Sequence, residues 1–328
     1  MTQTMRAGVF EHYGRPFRLA TVLRPEPAPG EVLVRIMASG TNPLDLKIHE
    51  GAAAHARQPP PAILGLDMAG IVDSLGPGVT EFKEGDEVYG MVGGVGGIQG
   101  TLAEFAAVDA DLLARKPINL SFREAAVLPL VVITAWEGLV DRMQVKSGQT
   151  LLVQGGGGGV GRAVIQIARH YGAEVFATGS ERSRDVIEHA GATFIDSGEA
   201  VVDYVGRLTR EGFDLAYDTI GGAGLDACFQ AVKKFGHVAS ALGWGTHLLA
   251  PLSFKAASYS GVFTLMPLLT GEGRRHHGEI LRKAAGMIEA GGLSPYISGE
   301  RFTLETVLEA YRAVAERRSR GKIAVDVG

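Results

Sequence analysis

A short apolar strand, Leu151-Leu-Val153, runs directly into Gln154-Gly-Gly-Gly-Gly-Gly-Val-Gly161. The segment after it carries Val160, Ala163, Val164, Ile167, Ala168 and Tyr171 on one helical face, and beyond Gly172 a second apolar strand, Val175-Phe-Ala177, begins. Gly156, Gly158 and Gly161 satisfy G-x-G-x-x-G. With 46 glycines among 328 residues, about twice the usual ~7%, the pattern alone would count for little. Its setting gives it weight, because strand, glycine loop, helix and strand in succession form the β-α-β unit that holds a dinucleotide. Gly156 is expected to permit the tight turn, Gly158 to let backbone N–H groups approach a pyrophosphate, and Gly161 to let the helix pack on the strand. The helix N-terminus adds partial positive charge. Gly156, Gly158, Gly159, Val160 and Gly161 are the expected cofactor-binding residues of this loop.

The surroundings extend the pattern. From Thr150 to about Leu242, apolar strands at Phe194-Ile195, Phe213 to Tyr217 and His237 to Leu242 alternate with amphipathic helices, which predicts a doubly wound parallel sheet. The first ~120 residues have another texture: Glu31 to Ile36, Met68 to Leu75 and Glu87 to Tyr89 are short extended runs between turn residues, as in a barrel or sandwich. Gly93 to Gly100 has no feeding strand and no following helix, so a mobile loop is expected there. Near Pro117 the texture changes, and Ser121 with Glu124 three residues on opens a helix. The tail predicts a helix from Phe302 to Arg317 and a last strand from Lys322 to Val327. The length itself suggests two domains.

Composition closes off other classes. Lys+Arg 32 against Asp+Glu 36 gives a net charge of -4, with no general attraction for nucleic acid or an anionic membrane. The longest apolar run, Leu128 to Trp136, is far below the ~18 residues of a membrane span, and the first ten residues lack an export signal, so a cytoplasmic location is expected. The single cysteine, Cys228, precludes an internal disulfide and a Cys-rich zinc lobe, and its helical segment suggests a buried packing role. His276 and His277 are adjacent, hence divergent on a helix, and are expected to be solvated.

Cofactor choice is read from the end of the second strand, where an NAD site carries an acidic residue for the ribose hydroxyl. Here the strand ends in Ala177-Thr-Gly-Ser180, followed by Glu181, Arg182, Ser183 and Arg184. A ribose 2′-phosphate would meet the hydroxyl of Ser180 and the guanidinium groups of Arg182 and Arg184, which favours NADPH over NADH. Two alternatives stand: Glu181 turned toward the ribose, or the arginines as a solvated helix face.

In order along the chain, Ala38-Ser-Gly-Thr-Asn-Pro-Leu-Asp-Leu-Lys47, Leu64-Gly-Leu-Asp-Met-Ala-Gly70, Gly85-Asp-Glu-Val-Tyr-Gly90, Thr134-Ala-Trp136, the glycine loop, Tyr217-Asp-Thr-Ile-Gly-Gly222 and Gly321-Lys322 resemble the medium-chain dehydrogenase/reductase superfamily, in particular its zinc-independent quinone oxidoreductase (zeta-crystallin-like) branch. The resemblance implies an α/β chain: a GroES-like β domain over residues 1–122, completed by 290–328, and a Rossmann dinucleotide-binding domain over 123–289. It implies a homodimer whose sheet continues between nucleotide-binding domains. The catalytic zinc ligands of the metal-dependent relatives match Asn42, Leu66 and Leu130 here, none a usual zinc ligand, so no metal is expected.

An enzyme without a Lewis acid suits acceptors that delocalise incoming charge. A quinone or an α,β-unsaturated carbonyl takes hydride at a conjugated carbon and passes charge to oxygen, needing only a placed hydrogen-bond donor. By resemblance the donor candidates are Lys47 and Asn42, in a cleft-facing loop, with Asn42 also beside the cofactor. Lys47 has two further readings, a cofactor contact or an ordinary ion pair with Asp45 or Asp67. Thr134, Leu242 and Phe263 are placed near the nicotinamide by the same resemblance, Thr134 having a packing role as its alternative. Asp218 lies at a strand end, either at the ligand side of the sheet or as a turn cap. The expected activity is NADPH-dependent reduction of a small-molecule quinone or enone. The rivals are zinc-type alcohol/ketone interconversion and NADPH binding without turnover.

Overall fold

The computed structural model describes residues 3–328. Contacts divide the chain into two units, one running to Leu130 and resumed over Leu265–Gly328, the other spanning Val131–Thr264.

The first unit begins with β1 (Thr4–Phe10), β2 (Arg18–Leu23), β3 (Glu31–Gly40), β4 (Ala62–Ile63), β5 (Asp67–Leu75), β6 (Glu87–Met91), β7 (Phe105–Asp109) and β8 (Leu113–Arg115). β1 lies between β2 and β4 in a small antiparallel sheet around Met5, Ala7, Val9, Ala20 and Ala103. In β3 the run Val32-Leu-Val34 is wholly buried, as befits a strand covered on both faces. The helix Pro43–His49 follows β3 directly, with Asn42 at its N-cap and Pro43 in the first turn, where a missing N–H costs nothing.

The second unit is a six-stranded parallel sheet of β9 (Thr150–Gln154), β10 (Glu174–Gly179), β11 (Thr193–Asp196), β12 (Phe213–Asp218), β13 (Val232–Ser240) and β14 (Ser258–Gly261), in the order β11-β10-β9-β12-β13-β14. The order runs outward both ways from β9, so the crevice beyond the ends of β9 and β12 is the switch point of a doubly wound sheet. Phe176, Ile195, Tyr204, Phe213, Leu225 and Phe229 share one of its cores. Cys228 packs among them, fully buried, and burial pushes its thiol well above the usual range.

The chain then returns to the first unit through the helix Arg274–Glu289, β15 (Phe302–Thr303), the helix Val307–Ala315 and β16 (Ala324–Asp326). The larger sheet there has the order β15-β16-β3-β5-β6-β8, with β7 also paired to β3.

Several expectations change. The sequence-based junctions at 122/123 and 289/290 differ from the contact division at Leu130 and Leu265. Helix Arg274–Glu289 belongs with the β unit because Tyr89 Oη donates to Leu281 O at 2.7 Å and Gly278 lies against the carbonyls of Asp111 and Leu113. The stretch Gly93–Gly100 is pinned rather than loose: Met91–Val95 are buried, Gly96 N donates to Ala56 O and Gly100 N to Ile63 O. His277 is fully buried in the same helix Arg274–Glu289, while His276 is half-buried. The tail helix is shorter than expected, Val307–Ala315, because Leu304–Thr306 forms a 3-10 turn.

Candidate cofactor and active site

The glycine loop leaves β9 with Gly155 at φ +83, a left-handed conformation that favours glycine. Gly155, not Gly156, therefore makes the tight turn. Gly156 is instead close-packed, since a Cβ there would lie 2.6 Å from Ala177 Cβ. At Gly161 a Cβ would strike the Gly155 carbonyl, so the helix Gly159–His170 is seated on the loop by that glycine. Gly158 differs from both. It is exposed, caps the helix in an extended conformation, and a Cβ there would meet only Gly155 O, at 3.5 Å. No side chain caps this twelve-residue helix, and the N–H groups of Gly159, Val160 and Gly161 precede any carbonyl that the helix can offer them. Such donors with open space before them suit an anion.

At the end of β10, Ser180 is exposed and starts a single 3-10 turn, its carbonyl taken by Ser183. Arg184 chelates Glu181 through Nε at 2.7 Å and Nη2 at 2.8 Å, and its guanidinium stacks 4.0 Å from the Phe194 ring centroid. This pairing lowers the Glu181 carboxyl and raises the Arg184 guanidinium. Glu181 and Arg184 are thus committed to each other. Arg182 is exposed and forms no ion pair among the described residues.

Asp218, at the end of β12, is fully buried and caps its turn: Oδ1 accepts from the N–H groups of Ile220 and Gly221 at 3.0 Å, and Oδ2 accepts from Ser240 Oγ at 2.6 Å. Ser240 Oγ in turn accepts from Leu242 N at 3.0 Å, which fixes the half-buried Leu242 at the end of β13. Thr134 is buried, 3.3 Å from Thr264 Oγ1, while its carbonyl accepts from Tyr217 Oη at 2.6 Å. Phe263 is half-buried and meets Trp244 edge-on at 5.7 Å.

The β unit holds a cluster that the sequence did not bring together. Asn42 Nδ2 donates to Asp67 Oδ2 at 2.9 Å, Leu130 N donates to Asp67 Oδ1 at 3.0 Å, and Asn42 N donates to Asp45 Oδ2 at 2.8 Å. Lys322 Nζ donates to Asn42 Oδ1. Asn42, Asp45 and Asp67 are all buried. Burial, and then the charge of Asp67, push the Asp45 carboxyl up to about 8. Burial pushes Asp67 up to about 6 against the opposing pull of Lys322 and its hydrogen-bond donors. Lys322 is lowered by burial, with Asp67 and Asp45 opposing. Lys47 stands apart from them: it is exposed on the helix Pro43–His49 and pairs with neither Asp45 nor Asp67. The cation in this cluster is Lys322, whose only sequence signal is its place in the Gly321-Lys322 pair.

The donor set does not fit zinc. Of the three matching positions, Leu66 and Leu130 have alkyl side chains with no donor atom, and the amide oxygen of Asn42 already receives an ammonium group.

The cluster has a measurable consequence. Between about pH 4 and about pH 8 the folded protein keeps a proton on Asp45 that the unfolded chain releases, so this group's contribution falls as pH rises through that window. Asp45→Asn removes that term. The variant's thermal midpoint relative to wild type is expected to improve between about pH 5.5 and about pH 8.5. An equal gap at both values would show that Asp45 does not hold the proton. Asp67, Lys322 and Tyr311 also bear on Asp45, and they are present in both proteins.

A glycine-cradled helix end at the switch point of a doubly wound sheet, with a GroES-like β unit beside it in sequence, is the make-up of an oxidoreductase with a nicotinamide cofactor. Comparisons agree. Residues 28–118 match the alcohol dehydrogenase GroES-like domain, and residues 190–325 match the zinc-binding dehydrogenase family. A 2-methylene-furan-3-one reductase of Solanum lycopersicum is 33% identical over 98% of this chain and 79% of its own length. A chloroplastic NADPH-dependent alkenal/one oxidoreductase of Arabidopsis thaliana is 32% identical over the same shares. Among solved structures, an alcohol dehydrogenase superfamily protein of Novosphingobium aromaticivorans superposes with a TM-score of 0.98 at 57% identity, over 99% of this chain and 100% of that one. The chain belongs to the medium-chain dehydrogenase/reductase superfamily.

Proposed function

We propose that the protein is an NADPH-dependent, zinc-independent reductase of α,β-unsaturated carbonyls or quinones. The observation that carries the reading is the unobstructed Gly158 before a helix end with uncapped N–H donors, at the switch point of the sheet. Gly158, Gly159, Val160 and Gly161 would hold a pyrophosphate, and Ser180 with Arg182 a 2′-phosphate. Leu242, Phe263 and Thr134 are the proposed neighbours of the nicotinamide. The reduced nicotinamide, when bound, supplies hydride. What remains for the chain is to orient the acceptor, exclude water and stabilise the oxygen that gains charge, for which Asn42 and Lys47 are the proposed donors.

The acceptor class follows from the donor set, since a conjugated carbonyl disperses charge that a simple ketone would need a metal to hold. The names of the two plant relatives point the same way. The test is spectrophotometric: purified protein with NADPH and, in parallel, NADH, against a panel of enones and quinones. NADPH consumption with either class is expected. No turnover despite tight binding would leave only a binding protein, and chelator-sensitive alcohol oxidation would replace the reading with a zinc-type one.

Arg182 supplies the cofactor test. Its side chain is exposed and unpaired, so Arg182→Ala is expected to keep the wild-type melting temperature and to raise the NADPH dissociation constant about tenfold with NADH unchanged, the size of one charge-assisted contact. Equal effects on both cofactors would remove Arg182 from the phosphate site.

A homodimer is part of the same proposal. β14 is an edge strand with Tyr259 exposed on it, and Leu248, Leu249 and Phe254 are exposed in the same unit. An unpaired edge beside apolar side chains suits a second copy. Sedimentation is expected to give the mass of two chains, and a one-chain mass would refute it.

A further inference from the structure

Asn42 lies just past the end of the central strand β3, and its two neighbours there have opposite charge. On one side, Ala324 pairs with Gly40 and Thr41 N donates to Ile323 O at 2.9 Å, so the antiparallel register brings Lys322 opposite Asn42. On the other side, Gly40 pairs with Asp67. Gly321, at φ +95 and packed on the Tyr296 carbonyl, fixes the turn from which Lys322 enters. The side chains complete what the register begins: the ammonium donates to the amide oxygen, and the amide nitrogen donates to the carboxylate.

An ammonium only donates and an ionised carboxylate only accepts, so this amide has a single tolerable orientation. A flip would set NH₂ against ammonium and carbonyl against carboxylate. With the nitrogen directed at Asp67, one N–H remains beyond that bond. Its acidity is raised by the cation on the carbonyl oxygen, because hydrogen bonds in a chain polarise one another in a low-dielectric interior. A third group, the buried Asp45, holds the Asn42 backbone N–H and so fixes the residue as well as the amide.

We infer that Lys322 and Asp67 are positioning residues that lock and polarise the Asn42 amide, making its remaining N–H the activated donor to the acceptor's carbonyl oxygen. The inference rests on the reductase reading above. The electrons balance without any change at the amide: hydride from the reduced cofactor bonds to the conjugated carbon, the acceptor's π pair collects on oxygen, and a proton from water completes the product while the cofactor leaves oxidised. Asn42 lends a hydrogen bond and keeps its protons. Lys322 acts only through it.

The experiment is a double-mutant cycle on the intact protein with NADPH and an enone that the wild type reduces. Lys322→Gln is expected to lower kcat about 10²-fold, the usual loss for one oriented donor, while KM for the enone and the dissociation constant for NADPH stay within about twofold. Lys322→Arg, which restores a cationic donor, is expected to recover most of the rate. Placed on Asn42→Ser, which keeps an N-capping oxygen but no amide, Lys322→Gln is expected to add less than about twofold. Thermal unfolding checks each variant, and if Lys322→Gln does not fold, Asp67→Asn in the same cycle must show the same coupling. Multiplicative losses, a loss confined to KM or to cofactor affinity, or an unchanged kcat overturns the inference while the reductase reading stands. A wild type inactive on every enone and quinone overturns both.

Discussion

Gly158→Ala is expected to fold and melt like the wild type and to lose about two orders of magnitude in NADPH affinity. The backbone at Gly158 has φ -80 and ψ 167, extended geometry open to any residue, and the added methyl would touch only the Gly155 carbonyl at an ordinary 3.5 Å. The protein tolerates the methyl; a ligand approaching the N–H groups of Gly159, Val160 and Gly161 does not. Two charge-assisted hydrogen bonds at roughly 1.5 kcal/mol each correspond to about a hundredfold in affinity. Gly161→Ala is expected to fail in the opposite way. Its Cβ would overlap the Gly155 carbonyl, backbone that cannot step aside, so overpacking of about 2–3 kcal/mol should appear as a lower melting temperature even without cofactor. Fluorescence titration with NADPH and thermal unfolding of both variants separate the two effects. If Gly158→Ala binds NADPH as tightly as wild type, the helix end is not the pyrophosphate site.

The contrast between those glycines also shows what a sequence can reveal. The β-α-β unit was legible because its signals are local: an apolar run, a glycine loop and a 3.6-residue periodicity within thirty residues. Which glycine turns and which packs was not, and the turn belongs to Gly155 because Gly156 is pressed on Ala177, a residue of the neighbouring strand. The placing of helix Arg274–Glu289 was hidden for the same reason. Its amphipathic pattern suits a helix, but only tertiary contact says that its buried face meets the strand carrying Leu113. Asn42, Asp67 and Lys322 stand 25 and 280 residues apart along the chain, and strand register alone joins them. Lys47 is nearer in sequence to Asn42, but register puts Lys322 beside its amide.

Asp67→Ala is expected to cost about 3 kcal/mol, the lower end for removing one member of a buried pair. The deletion strands the Asn42 amide nitrogen without its acceptor and leaves the Lys322 ammonium with Asp45 as the remaining carboxylate. Asp45 limits the damage, since without the charge of Asp67 beside it and with Lys322 to answer, it ionises more readily. Removing both charges is a different matter. Two ions held away from water repay their desolvation only in part, so Asp67→Leu with Lys322→Met is expected to melt above Asp67→Ala, and below wild type because the Asn42 amide loses both partners and Leu130 N its acceptor. Stability and rate should then part company in that double variant, which regains the fold with no cation left on the Asn42 oxygen and stays slow. Thermal unfolding beside enone turnover reads both. A double variant that melts as low as Asp67→Ala would mean that the charges themselves hold the fold, and one that recovers both would mean that the protein keeps them for neither purpose.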